Sequence, residues 1–170
     1  MVATRLGVLL CLVGATACAS AGAGSGGGSS APVARWSGSF RPTTMASTAV
    51  LAPATPNKGS GAIVVTPVST SPARAKVELS VNMGSTEGGQ HAWAIFTGPC
   101  NSAGPMVAGQ NEFPPLEISS SGDGRFQGEM SFGLEPAGSY HANVYWSSRA
   151  HDLNDVMMCA NLSPERSGRR

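Results

Sequence analysis

Three histidines, His91, His141 and His151, are the side chains of this chain best suited to holding a metal, because neutral imidazole is the commonest ligand for zinc and copper. Their spacing alone does not make a site. His141 and His151 could approach one another at one end of a β-domain if the connection between them folds back, but no pair has ligand-motif spacing. Asp152 and Asp155, beside His151, read as loop polarity. Other chemistries are poorly provided for. There is no G-x-S-x-G elbow, the glycine runs lack the strand, helix and lysine of a phosphate loop, and the few carboxylates form no evident facing pair. The abundant serines have no evident base. The cysteines, Cys11, Cys18, Cys100 and Cys159, remain, and what each can do depends on where the chain goes.

The first eighteen residues carry the address. One positive charge, Arg5, precedes the apolar run Leu6 to Ala15, which is too short for a stable membrane span, and small side chains follow it. Ala15-Thr16-Ala17-Cys18 resembles the cleavage and lipidation site of a bacterial lipoprotein, with Ala15 standing where such sites usually have Leu. The same residues satisfy the A-x-A rule of an ordinary secretory signal, in which case Cys18 is an incidental free thiol and the product is secreted or periplasmic. On either reading residues 1–17 are a signal peptide and the mature chain is extracytoplasmic.

Residues 18–33 then form a lipid-anchored flexible Gly/Ser linker. Ala19 to Ala31 is almost wholly Gly, Ser and Ala, a composition that cannot bury enough apolar surface to fold. Its random-coil reach is roughly 20 Å, enough to hold a domain clear of a bilayer. Residues 34–162 suit one domain with a single core, and residues 163–170 read as a disordered basic tail. Charge names no partner: without Arg5 the Lys and Arg total falls from 11 to ten, against 10 Asp and Glu. No nucleic-acid footprint exists, and Arg166, Arg169 and Arg170 read as a solvated tail cluster.

With Cys11 removed in the signal and Cys18 as anchor, Cys100 and Cys159 are left as a pair in an oxidising compartment and are expected to form a disulfide. Such a closure of about sixty residues stabilises by at most roughly 4 kcal/mol in the chain-entropy model. The alternative is two buried thiols; the spacing excludes a CxxC redox or zinc site.

The elements that position these residues read as strands. Ala75, Val77, Leu79 and Val81 alternate with Lys76, Glu78, Ser80 and Asn82, the pattern of a strand with one wet face. Phe126 to Phe132 repeats it, behind a turn at Ser121-Gly122-Asp123-Gly124 that follows a strand at Leu116 to Ser120. Further strands are expected at 35–42, 62–68, 90–96, 139–147 and 156–162, with a turn of helix at most in 150–155. Leu134 to Tyr140 fits a tyrosine corner, or equally a Pro-Gly turn before a core Tyr; both make Tyr140 structural. The expected fold is all-β, a Greek-key antiparallel β-sandwich of about seven or eight strands, with 22 glycines and 12 prolines supplying its turns.

Gly89-Gln90-His91-Ala92-Trp93-Ala94-Ile95-Phe96, then Gly98-Pro99-Cys100, and later Met158-Cys159-Ala160-Asn161-Leu162, resemble the copper strand, the disulfide cysteine and the terminal cysteine strand of copper/zinc superoxide dismutases. Leu134 to Trp146 is similar to CHRD domains. The resemblance covers about residues 75–162 and implies a Greek-key sandwich with a disulfide pinning a long loop. It also implies where metal ligands are missing. The copper strand has the form G-x-H-G-F-H-x-H, and its last two histidines fall on Ala94 and Phe96, which cannot ligate copper. His91 matches the first histidine, which in that family buttresses backbone. Tyr145 stands where a late copper histidine belongs, and the zinc-loop equivalent, Asn101 to Phe113, holds no His or Asp. Copper redox chemistry needs several imidazoles and an open position.

These readings converge on a non-catalytic, membrane-tethered envelope protein with a structural or interaction role, no cofactor, and a monomeric state. Its membrane partner is reached through the lipid anchor. Trp93 and Trp146 are expected in the core or in cross-strand pairs, while Phe96 and Tyr145 share the former metal face; an exposed apolar patch there would suit an envelope protein partner. The competing expectation is a metal-binding or superoxide-handling protein with a rearranged set of His91, His141 and His151.

Overall fold

A computed structural model of the chain describes residues 33–43, 59–84, 88–148 and 155–166, all within the unit Ala31–Arg170. Cys18, the linker and His151 lie outside the described residues, as does most of the 150–155 segment. Among the described residues there are nine strands: β1 (Val33–Pro42), β2 (Ser60–Thr70), β3 (Ala73–Asn82), β4 (Gly89–His91), β5 (Trp93–Thr97), β6 (Leu116–Ile118), β7 (Asp123–Met130), β8 (Tyr140–Tyr145) and β9 (Val156–Arg166). All their pairings are antiparallel, so the all-β antiparallel class is as expected.

Alternation builds the inner face. In β3 the side chains of Ala75, Val77, Leu79 and Val81 are each at most 4% exposed, while Glu78 and Ser80 face out. Burying each of the three larger ones contributes about 1.5–3 kcal/mol. Their register partners extend the layer across the sheet: Leu79 lies between Ile63 of β2 and Phe126 of β7. Trp93 of β5 closes it from the far side, its ring 5.2 Å from Phe113 and 5.0 Å from Phe126.

The strands run in the order β4-β6-β7-β3-β2-β1-β9-β8-β5. The two ends of that order, β4 and β5, are separated in the chain only by Ala92. The segment expected as one strand, 90–96, therefore serves both ends: His91 pairs with Leu116 of β6, and Trp93 pairs with Val144 of β8. Ala92 itself turns to β8, donating to the Ser147 carbonyl at 2.8 Å and accepting from the Tyr145 amide at 2.9 Å. The sheet is thereby curled nearly into a barrel.

Two local devices fix the connections. Tyr140 opens β8, and its hydroxyl accepts the Glu135 amide hydrogen at 2.8 Å, the bond of a tyrosine corner. Its ring meets Trp36 edge-on, centroids 5.1 Å apart. Gly138 is required between them, because a Cβ there would come within 2.3 Å of the Tyr140 hydroxyl. Between β6 and β7, Gly122 takes a φ of +88° and the Ser119 amide donates to the Asp123 carbonyl at 2.9 Å.

The C-terminal segment corrects the expectation of a tail disordered from Ser163. β9 continues through Arg166, with Ser163 paired to Ser37 and Glu165 to Arg35 of β1. No apolar alternation marks these residues. Cross-strand partners hold them instead: the Glu165 carboxylate accepts from Arg35 Nε and from the Ser37 hydroxyl, each at 2.6 Å, and both bonds hold its pKa below the ordinary carboxylate value.

Candidate functional site

The pairing of β5, β8 and β9 sets the face on which the site was expected. Ala94 lies opposite Asn143 and Phe96 opposite His141; across β8, Asn143 lies opposite Cys159 and His141 opposite Asn161. Directly opposed residues share a face, so these six side chains form one surface, and Trp93, Ile95, Ala142 and Val144 point to the other. Tyr145 joins them at the end of β8, where the Asn143 amide nitrogen lies 3.4 Å from its hydroxyl. Ala94, Phe96 and Tyr145 thus lie on one side of the sheet.

The β5 and β8 part of this face is filled, while Asn161 of β9 is exposed. Ala94 and His141 are fully buried, Tyr145 and Asn143 are no more than 2% exposed, and Phe96 is half-buried. These side chains therefore form no broad exposed apolar patch. All six residues of β8 are buried, so the strand is covered on both sides. Part of that cover is the connection after β5. Thr97 donates to the Pro105 carbonyl and Val107 to the Ile95 carbonyl, each at 3.0 Å, which lays residues 105–107 along the edge of β5. Met106, Val107 and Ala108 pack against the core from there.

His141 is fixed from its Nδ1 side, while the approach to His151 lies outside the described residues. Its Nδ1 lies 2.9 Å from the Gly98 carbonyl, and its ring stacks on Phe96 with centroids 5.3 Å apart. Burial pushes its pKa down, against a smaller opposing effect of the Gly98 bond, which keeps the imidazole neutral at pH 7. A neutral ring must then donate from Nδ1 and carry its lone pair on Nε2, and that nitrogen is buried with no hydrogen-bond partner. Asn143 Oδ1 is in the same condition. The polar pair at positions 141 and 143, alternating within an otherwise apolar strand, is the sequence signal that could have marked both.

His91 does different work. Its Nδ1 lies 2.9 Å from the Tyr145 carbonyl, tying β4 to the end of β8 across the break at Ala92. It is a backbone buttress in this position. Trp93 likewise anchors the loop before β6, donating from Nε1 to the Pro114 carbonyl at 2.8 Å.

Cys100 and Cys159 are disulfide-bonded, with Cα atoms 6.0 Å apart. The bridge joins the turn after β5 to β9. Beside it, Asn161 Oδ1 accepts the Cys100 amide hydrogen at 2.7 Å, so the turn is held at two adjacent points. Asn101 next to it adopts a left-handed φ of +68°, which Asn tolerates. A groove of about 380 Å³ lies over the bridge, flanked by Ser39, Arg41, Thr43, Asn101 and Asn161. It holds one cation and amide dipoles, with no nucleophile and base in contact. Among the described residues no three His, Cys, Asp or Glu side chains stand close enough to share a metal ion.

No described helix is long and apolar enough to cross a membrane. Compared with family models, with curated proteins and with solved structures, the chain matches none.

Proposed function

We propose that this chain is an extracytoplasmic lipoprotein, tethered through Cys18 and carrying a non-catalytic β-domain that serves a structural or interaction role in the cell envelope. The observation that carries the reading is the filling of the β5 and β8 part of the β5–β8–β9 face. Ala94 and Phe96 occupy the two β5 positions that the superoxide dismutase resemblance assigns to copper ligands. A methyl group and a phenyl ring there lie in register with Asn143 and His141. Neither can bind a metal, and the Phe96 ring covers the imidazole that faces it. The disulfide between the post-β5 turn and the last strand, together with the buttressing His91, supports descent from such a scaffold.

Tethering follows from Ala15 to Cys18 and the Gly/Ser segment behind them. The experiment is membrane fractionation of cells expressing the chain. Wild type is expected with the membranes and Cys18→Ser in the soluble extracytoplasmic fraction; a Cys18→Ser protein that stays with the membranes contradicts the anchor.

A second reading, metal binding through a rearranged histidine set, draws on one observation. His141 has its Nδ1 fixed by a backbone carbonyl and its Nε2 unpartnered, the arrangement that metal-bound imidazoles share. Metal content before and after His141→Ala separates the two readings.

A further inference from the structure

The geometry points to a binding site for a small neutral molecule, with an apolar body and one hydrogen-bond acceptor, at the end of the curled sheet where β1 begins. The cavity arises from a taper in β3. Its side chains on the core face run from Val81, Leu79 and Val77 to Ala75 and Ala73, so at that end β3 offers only methyl groups. Gly133, beyond β7, keeps the neighbouring wall thin: a Cβ there would stand 3.1 Å from the Ala73 Cβ. What remains is a cavity of about 290 Å³. Trp36, Val65 and Ala75 are its buried floor, and Leu134 and Pro136 of the tyrosine-corner segment stand beside them. The mouth of a curled sheet is a common place for a small ligand. An apolar cavity of about 150 Å³ takes benzene, so this one has room for a ring and several further heavy atoms.

The floor carries a donor in search of an acceptor. Trp36 is fully buried, and its indole Nε1–H has no hydrogen-bond partner among the described residues. The other fully buried tryptophan, Trp93, donates to the Pro114 carbonyl at 2.8 Å. A buried N–H without an acceptor carries a desolvation penalty, which an incoming oxygen removes. The Trp36 ring is held edge-on to Tyr140, so the donor is fixed in place before a ligand arrives.

The rim selects against charge. Arg74 is there, but its guanidinium is already bonded to Glu129 at 2.7 Å, and the Glu135 carboxylate stands at the same mouth. An anion meets Glu135 and a cation meets Arg74. A neutral carbonyl compound, such as a ketone, ester or amide, has neither conflict: its oxygen accepts from Nε1 and its apolar body covers the methyl and ring surfaces. The inference goes beyond the proposed function and does not depend on the anchor.

The test is titration of the nitrogen-15-labelled full chain with acetophenone, a single ring bearing one carbonyl, followed by NMR of the indole N–H signals. Trp36→Phe identifies the Trp36 signal by its loss. That signal is expected to move downfield and to saturate at one acetophenone per chain. Cumene has the same shape with the carbonyl replaced by a methyl-bearing carbon, and should bind about tenfold more weakly or worse. Trp36→Phe, followed through the Ala73 and Ala75 amide signals, should lose the preference between the two probes. Ala73→Leu, at an exposed position, fills the cavity and should abolish binding of both. Circular dichroism of each variant checks the fold. Acetophenone that leaves the Trp36 signal in place, cumene that binds wild type as tightly, or an Ala73→Leu protein that binds acetophenone as wild type does would each overturn the inference.

Discussion

Across the β5–β8 ladder, the imidazole of His141 lies against the ring of Phe96 with the two planes 18° apart, and its Nδ1 is held by the Gly98 carbonyl. Burial in this setting, against the smaller opposing effect of the Gly98 bond, keeps the imidazole in its neutral form. Its cost shows in the pH dependence of stability.

Because burial lowers the His141 pKa in the folded state, the unfolded chain binds a proton first as pH falls below about 6.5. Stability is therefore full above that value and declines as pH drops toward the folded-state pKa. Urea unfolding at pH 7.5 and at pH 5 should show the loss in wild type. His141→Phe, which keeps an aromatic ring against Phe96, should show a smaller loss over the same interval. Equal losses in the two proteins would mean that His141 does not set the slope.

Tyr140→Phe removes the hydroxyl that accepts from Glu135 and leaves the ring on Trp36. The expected cost is about 0.5–1.5 kcal/mol, one hydrogen bond without a packing change. Chemical denaturation measures it, and an unchanged midpoint would reduce the corner to an ordinary turn.

The turn after β5 is held by the disulfide and by Asn161. Cys100→Ser with Cys159→Ser should cost up to roughly 4 kcal/mol by the chain-entropy model. Asn161→Ala alone should cost about 1 kcal/mol, since it removes the partner of the Cys100 amide. The two contacts are adjacent, so their effects should not add, which a double-mutant cycle reads directly. Strict additivity would show that Asn161 and the bridge act on separate parts of the fold.

How much of this was legible depends on the range of the interaction. β3 could be read because its burial follows strict alternation from Ala75 to Val81, and Tyr140 because its corner is closed within five residues of chain. The Cys100–Cys159 bridge followed from elimination and compartment. The extension of β9 to Arg166 left no such mark, since Glu165 is held by Arg35 and Ser37 from the other end of the chain. Ala92 looked like one more strand residue, and only the competition of β6 and β8 for its neighbours breaks the strand there. His141 and Asn143 alternate as a wet face would, yet they are buried. What covers them comes from distant segments, and local pattern does not report it.

The filling of the β5–β8–β9 face at β5 and β8 is tested most directly by metal content. The full chain, loaded with copper and zinc and then dialysed, should retain no stoichiometric ion and remove superoxide no faster than buffer does. One tightly held ion per chain, lost on His141→Ala, would contradict the account and make the buried imidazole a ligand.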